Sequence, residues 1–219
     1  QGVTIRKSYR FDLEDYSLQF SVSVQNESDR TLSPRFETQW PAHVRTAKDF
    51  SEQSFAAVHD GDVEREAVAG IGMPGFFSNF FGNSDPDGIS RFRGGVEWAG
   101  VDMKYFVGAL LPGRAQNANA RFEPIEPGRS GMTVLGFAPV SLPPGQSIQN
   151  EFRVYLGPKE PARLEAIGAD LPKAIDLGYG WIAPLTSFFV WLLGLIYAVV
   201  HNYGVAIILV TILVRIVTL

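Results

Sequence analysis

The clearest pattern in the chain is Ser17-Leu18-Gln19-Phe20-Ser21-Val22-Ser23-Val24-Gln25-Asn26. Apolar and polar residues alternate through this stretch, which is the period of a β-strand with one buried face and one solvated face. Residues 3–11 alternate in a similar way, with Lys7 as one polar residue at a position where the pattern calls for an apolar one. Residues 12–15 have the composition of a tight turn, so the sequence predicts a β-hairpin over residues 3–26.

Further short strand candidates follow the hairpin and are separated by turn sequences rich in Gly, Pro, Asp and Asn. The expected strands are residues 32–40, 95–98, 104–111, 132–140 and 149–156. Many short strands without intervening helices favour an antiparallel β-sandwich over a parallel α/β sheet. The pattern therefore predicts a mainly β domain over residues 1–157. Residues 158–180 then form a short helical junction, with a helix over residues 160–167 that Gly168 can close.

Charge divides the chain into two parts. All 23 acidic residues and 18 of the 19 basic residues lie at or before Asp176, which gives that part a formal net charge of −5. Residues 177–214 contain no Asp, Glu, Lys or Arg, and Arg215 is the one charged residue after them. Such a division indicates one segment that lies in water and another that lies in or on a membrane.

The uncharged segment has two interpretations. It can form two membrane spans, residues 181–200 and 204–219, with a break at residues 201–204. Alternatively, the first part lies in the membrane interface as an amphipathic helix and only the second part crosses. Aromatic residues of the kind that favour the headgroup region mark this segment. They are Trp181, Phe188, Trp191, Tyr197 and Tyr203.

Arg215 also has two interpretations. It lies eleven residues after Gly204, or about 16 Å along a helix, which is near the middle of a hydrocarbon core about 30 Å thick. An arginine at that depth normally faces a protein interior or a water-filled cavity. The alternative is a side chain that extends to the cytoplasmic edge of a short span.

A Phe-rich loop stands apart from the strand pattern. Four phenylalanines form two i,i+4 pairs, so one helical turn would align them. They are Phe76, Phe77, Phe80 and Phe81. The loop is either a contact site for a partner or the membrane surface, or a plug that caps an open end of the sandwich.

The sequence gives no sign of an enzyme, a metal site or a cofactor. The three histidines, His43, His59 and His201, have no metal-ligand spacing, and there is no nucleophile elbow or phosphate loop. Without cysteine there is no disulfide framework and no thiolate chemistry. The mildly acidic balance does not favour nucleic-acid binding.

Several landmarks resemble the YidC/Oxa/Alb family of membrane protein insertases, Gram-negative type. They occur in the family's order and extend through most of the chain. The most specific landmark is the last one, around Arg215. The landmarks are Gly94-Gly95-Val96-Glu97-Trp98, Lys104-Tyr105-Phe106, Val154-Tyr155-Leu156-Gly157-Pro158-Lys159, Asp176-Leu177-Gly178-Tyr179-Gly180-Trp181 and Ile207-Ile208-Leu209-Val210-Thr211-Ile212-Leu213-Val214-Arg215.

The resemblance implies a β-supersandwich of the galactose-mutarotase-like type in the periplasm. It implies that residues 181–202 form the interfacial helix and that residues 203–219 begin the first transmembrane helix of the insertase core. Arg215 matches the family's charged groove residue. We expect an anchor helix before Gln1, and further transmembrane helices and a cytoplasmic hairpin after Leu219.

The function implied by the resemblance is insertion and folding of inner-membrane proteins, alone or with the Sec translocon. The expected partners are nascent inner-membrane proteins, the translocon with its accessory subunits, and the lipid bilayer. A second hypothesis is a membrane-tethered sandwich module that binds a glycan or a partner protein. A third, a mutarotase-like enzyme, would need a histidine and a carboxylate that face each other across a cleft.

Overall fold

The computed structural model describes residues 2–12, 15–46, 52–72, 88–175 and 183–217. Contacts within the chain define two units, Gln1–Ala174 and Ile175–Leu219. The first unit is built mainly from antiparallel strands and the second from helices. The strands of the described ranges are β1 (Val3–Asp12), β2 (Ser17–Asn26), β3 (Glu37–His43), β4 (Gln53–His59), β5 (Asp62–Ala67), β6 (Ser90–Arg93), β7 (Val96–Met103), β8 (Phe106–Pro112), β9 (Ala118–Glu126), β10 (Ser130–Phe137) and β11 (Ser147–Pro158).

The strands form two antiparallel sheets. The larger sheet has the order β1-β2-β11-β8-β7-β4-β5, and the smaller has the order β3-β10-β9-β6. Strand β3 lies at an edge of the smaller sheet, which allows it to contain Pro41, a residue without a backbone N–H donor. The fold is therefore a β-sandwich, as the many short strands without intervening helices predict.

The core fills the space between the two sheets. Phe55 stacks on Phe122 with ring centroids 5.5 Å apart, and Phe122 meets the ring of Phe92 edge to face at 5.1 Å. Smaller residues such as Ala57, Ala99 and Ala120 allow the sheets to approach between these rings. Burial of this apolar surface is the main stabilising contribution to the sandwich.

The hairpin over residues 3–26 is confirmed. Its register pairs Val3 with Asn26 and Asp12 with Ser17. Strand β1 forms an edge of the larger sheet, and all ten of its residues are exposed. Large apolar side chains such as Ile5 and Phe11 therefore remain accessible on this strand.

Other strand predictions need correction. The strand expected over residues 32–40 begins only at Glu37, since residues 33–36 are irregular and include Pro34, which has no N–H to donate to a ladder. The strand expected at residues 95–98 continues to Met103, and the one expected at 132–140 ends at Phe137. Four strands were not expected from the sequence: β4, β5, β6 and β9.

The segment after β11 packs back on the larger sheet. It contains helix α1 (Pro161–Ile167) and a 3₁₀ turn (Leu171–Ala174), with Gly168 at a positive φ where α1 ends. Leu164, Leu171 and Ala174 are fully buried. The indole N–H of Trp98 donates to the carbonyl of Asp170 at 3.4 Å, which anchors the segment to β7.

The second unit contains helix α2 (Ala183–Val200) and helix α3 (Tyr203–Val217), which contact each other. The two helices are separated by His201 and Asn202 alone.

Candidate functional site: the apolar helices and Arg215

Helix α2 exposes large apolar side chains along its length. Phe188 and Trp191 are 50% and 61% exposed, and their ring centroids lie 6.1 Å apart. Val199 is also exposed, whereas Leu192 is buried. Six large apolar residues share one stripe of this helix, and only Leu192 among them is buried: Leu185, Phe188, Phe189, Leu192, Ile196 and Val199. So much exposed apolar surface indicates a helix whose environment is not water alone.

The break between the helices is well defined. His201 has a positive φ of 52°, which ends the α2 conformation, and its N–H donates to the carbonyl of Tyr197 at 2.8 Å. The side-chain oxygen of Asn202 accepts hydrogen bonds from the N–H groups of Gly204 and Val205, at 2.9 and 3.3 Å. Asn202 is thus the N-cap of α3 and satisfies two N–H groups that have no partner within the helix.

Two predicted interface aromatics meet across this break. The rings of Tyr197 and Tyr203 are stacked, with centroids 4.0 Å apart and planes 13° apart. The His201 ring lies 6.3 Å from the Tyr197 ring. Tyrosines combine an apolar ring with a polar hydroxyl, which suits a position where apolar and aqueous media meet.

Arg215 lies in the last turn of α3, and its side chain is exposed. It is the one charged residue of this helix. Thr211 lies one turn before it on the same face, and the Thr211 hydroxyl donates to the carbonyl of Ile207 at 2.8 Å. The remaining exposed side chains of α3 are largely aliphatic, including Ile208, Ile212 and Ile216.

The predicted site residues thus fall into separate groups. The structure places Phe188 beside Trp191, and Tyr197 beside Tyr203. Arg215 is twelve residues beyond Tyr203, about 18 Å along α3. Trp181 and the four loop phenylalanines, Phe76, Phe77, Phe80 and Phe81, lie outside the described residues. Within the described ranges, no helix combines the length and the apolar character that a membrane crossing requires.

An aromatic ladder on the sandwich was not expected from the sequence. Tyr9, Phe20 and Phe152 occupy matching positions on β1, β2 and β11, with successive centroids 6.0 and 4.9 Å apart. Phe137 meets the ring of Phe152 at 5.4 Å. Together with Lys7 and Glu37, these strands line a groove of about 560 Å³. The alternation in β1 and β2 places Tyr9 and Phe20 on one face of the hairpin, and the pairing of β2 with β11 adds Phe152 to the row.

In the part of the chain that the structure describes, neither histidine of the sandwich faces a carboxylate across a cleft, as a mutarotase-like reaction would need. His59 Nε2 lies 3.6 Å from Asp60 Oδ2, but these residues are neighbours at a turn and do not face each other across a cleft. His43 lies at the exposed end of β3. Among the described residues, no three His, Asp or Glu side chains are grouped so that they could hold a metal ion.

Comparison with solved structures shows the class of the fold. The galactosidase domain of the α-galactosidase–sucrose kinase AgaSK matches 74% of this chain and 23% of its own, with a TM-score of 0.51 and 12% identity. The α-galactosidase from Lactobacillus brevis matches 74% of this chain and 22% of its own, with a TM-score of 0.51 and 10% identity. The first unit therefore shares a β-sandwich fold with these two galactosidases.

Sequence comparison shows the family. The model of the YidC periplasmic domain matches residues 1–192. The membrane protein insertase YidC of Syntrophus aciditrophicus is 31% identical over 98% of this chain, and that of Geobacter metallireducens is 30% identical over 99%. The chain belongs to the YidC family. It spans 37% and 38% of the lengths of these two relatives.

Proposed function

We propose that the whole protein inserts and helps to fold inner-membrane proteins, alone or with the Sec translocon. This chain would supply the periplasmic sandwich, an interfacial helix and the start of the membrane core. The observation that carries the proposal is Arg215, the one charged residue of helix α3, in a chain that belongs to the YidC family.

In this proposal, α2 lies in the membrane interface and α3 belongs to the first transmembrane helix, so that residues 1 to about 180 are periplasmic. The exposed apolar side chains of α2 support this placement, because they would contact lipid. The stacked Tyr197 and Tyr203 would lie in the headgroup region, where α2 ends and α3 begins.

Arg215 would supply a positive charge within a groove that contains water. A charged side chain at the centre of a helix in the bilayer costs about 2.5–3.5 kcal/mol on insertion scales, so it is kept where it is solvated and useful. The guanidinium would attract an acidic or polar segment of a client protein and lower the barrier to moving that segment. Transfer of the client's apolar helix into lipid would then supply the free energy.

The test is an insertion assay with full-length variants in cells depleted of their own insertase. Arg215→Gln removes the charge at similar length and should abolish insertion of clients whose translocated segment is acidic. Arg215→Lys keeps the charge and should retain most of that activity. Normal insertion by the Gln variant would contradict the groove mechanism.

A second candidate function is binding of a glycan or a partner protein by the sandwich. The aromatic ladder Tyr9–Phe20–Phe152, in a groove that also contains Lys7, supports it. Calorimetry with candidate sugars and with soluble translocon domains would test this function. A binding heat that disappears in Phe20→Ser but persists in Ile125→Ser, which changes an exposed apolar residue of β9, would support this function. The absence of binding heat with both the sugars and the translocon domains would exclude it.

A further inference from the structure

A further groove, with a volume of about 680 Å³, lies on the outer face of the larger sheet. Its floor consists of outward-facing side chains of β1, β2 and β11. These side chains alternate along the strands with Tyr9, Phe20 and Phe152, so the rings of the aromatic ladder lie on the opposite face. Leu111 of β8 and Ile167, the last residue of α1, line the groove with apolar surface. The polar side chains that line it are Ser8, Arg10, Gln19, Ser21, Glu151 and Arg153.

The register of the sheet places two arginines in one row of this floor. Arg10 pairs with Gln19, and Gln19 pairs with Arg153, so the two guanidinium groups flank one side-chain amide. The Cα atoms of the two arginines are therefore about 10 Å apart, which is two interstrand spacings. Two long side chains at that separation can converge on one anion above Gln19.

Both arginines keep a positive charge that no carboxylate neutralises. In the residues that the structure describes, neither Arg10 nor Arg153 forms an ion pair. Arg10 is exposed, whereas Arg153 is half-buried and donates from Nη1 to the carbonyl of Ile167 at 3.3 Å. That hydrogen bond holds the Arg153 side chain in place without cancelling its charge, and its other N–H groups remain available to a ligand.

A carboxylate lies beside the row of arginines. Glu151 is two residues before Arg153 on β11, so both side chains face the groove and their Cα atoms are about 7 Å apart. Glu151 is exposed and accepts a hydrogen bond from the neutral side-chain amide of Gln149 at 3.1 Å. Ser8 and Ser21 lie in the same row as Glu151 and add two hydroxyl groups. The groove therefore presents positive charge in one row and negative charge in the next.

This pattern of charges indicates a ligand that carries both signs. Two guanidinium groups and an amide that converge on one point can donate to three or more oxygens, which suits a phosphate better than a carboxylate. The Glu151 carboxylate would repel a simple phosphate, but it would attract an ammonium group joined to the phosphate by a short linker. A phosphate and an ammonium group on adjacent carbons have the complementary arrangement.

We propose that this groove binds a phosphoethanolamine group, carried by a phospholipid headgroup or by a soluble molecule. Arg10, Gln19 and Arg153 would bind the phosphate, and Glu151 would accept hydrogen bonds from the ammonium group. The site uses neither Arg215 nor the aromatic ladder, so it goes beyond the proposed function and does not depend on it.

Isothermal titration calorimetry tests this site with the full-length protein in dodecyl maltoside, a neutral detergent that contains no phosphate. The probes are phosphoethanolamine and ethyl phosphate, which has the same phosphate monoester on two carbons but no ammonium group. Phosphoethanolamine should bind about fivefold more tightly, because only this probe can pair with Glu151. Equal affinity for the two probes, or no binding of either, would overturn the proposal.

Matched variants assign the two charges of the ligand. Glu151→Gln should abolish the preference for phosphoethanolamine and should bind ethyl phosphate at least as tightly as the unmodified protein, because a repulsive charge is removed. Arg10→Gln should bind both probes about fivefold more weakly. The control Arg6→Gln removes an exposed arginine from the same face of β1, outside the groove, and should bind within twofold of the unmodified protein. A preference retained in Glu151→Gln, or equal weakening by the Arg10 and Arg6 variants, would contradict the assignment.

The source of the group is tested by adding lipid to the micelles. Phosphatidylethanolamine should compete with free phosphoethanolamine and lower its apparent affinity more than phosphatidylcholine does, if the site takes a lipid headgroup. Unchanged affinity with both lipids would assign the site to a soluble phosphoethanolamine. The Arg215→Gln variant should bind the probe normally, so failure of this site and failure of the insertase mechanism are distinguishable.

Discussion

Lys159 and Asp102 form an ion pair on the outer face of the seven-stranded sheet, where their side chains are 11% and 6% exposed. The same carboxylate lies 3.3 Å from Arg65 Nε, and Arg65 also donates to the carbonyl of Lys173 at 2.9 Å. These contacts join β5, β7 and the segment that follows β11. Residues 159–174, which follow β11, are therefore held to the sandwich by charge as well as by their buried residues Leu164 and Leu171.

Removal of the Asp102 charge should strongly destabilise the sandwich. In Asp102→Asn, the buried ammonium of Lys159 loses its counter-ion, and breaking a buried pair in this way costs about 3–5 kcal/mol. Urea denaturation followed by near-UV circular dichroism should show this loss in the free energy of unfolding. Asp62→Asn, an exposed aspartate of β5, is the control and should change stability by less than about 0.5 kcal/mol. A loss below about 1 kcal/mol for Asp102→Asn would contradict the role given to the pair.

Glu66 should make the sandwich less stable as pH rises. This residue of β5 is 7% exposed and accepts a hydrogen bond from the Ser90 hydroxyl at 2.6 Å. Burial raises the pKa of Glu66, and the Ser90 hydrogen bond opposes that shift only in part. The folded state therefore holds a proton that the unfolded state releases, so this contribution to stability falls as pH rises above the ordinary glutamate pKa of about 4.3.

The test compares the unmodified protein with Glu66→Gln between pH 4 and pH 8. The Gln variant keeps an oxygen that can accept from Ser90 but carries no charge. Its free energy of unfolding relative to the unmodified protein should increase with pH and level off above the raised pKa. A difference that does not depend on pH would show that Glu66 does not titrate as expected.

Asn202 should stabilise the first turn of α3. Asn202→Ala removes the acceptor for the N–H groups of Gly204 and Val205, a loss of about 1 kcal/mol for an N-cap. Hydrogen exchange of these two amides in the full-length protein should accelerate about fivefold. Asn202→Asp keeps an acceptor and should preserve the protection, whereas unchanged exchange in the alanine variant would contradict the capping role.

The sequence predicts those parts of the fold in which one face of a strand is solvated. The hairpin of β1 and β2 alternates clearly because its outer face is polar. Strand β4 does not alternate, since Phe55, Ala56, Ala57 and Val58 are all fully buried. A continuous apolar run cannot be assigned by period alone. Asp60-Gly61 was the available signal for the β4–β5 hairpin, and both residues have positive φ in the structure.

The candidate sites also differ in how far the sequence predicts them. Arg215 is evident from sequence because it interrupts an uncharged segment. The cross-strand pairing of Arg91 with Arg121 is not, since these residues are thirty apart in the chain and meet only through the register of β6 with β9. The aromatic ladder likewise depends on the pairing of β2 with β11.

The depth of residue 215 in the bilayer tests the central claim most directly. The full-length protein, otherwise free of cysteine and carrying Arg215→Cys with a spin label, can be measured in liposomes by its accessibility to oxygen and to a water-soluble nickel chelate. We expect a depth within the hydrocarbon region together with clear exposure to the nickel chelate, as a water-containing groove requires. A label that lies in bulk water beyond the headgroups would contradict the insertase mechanism.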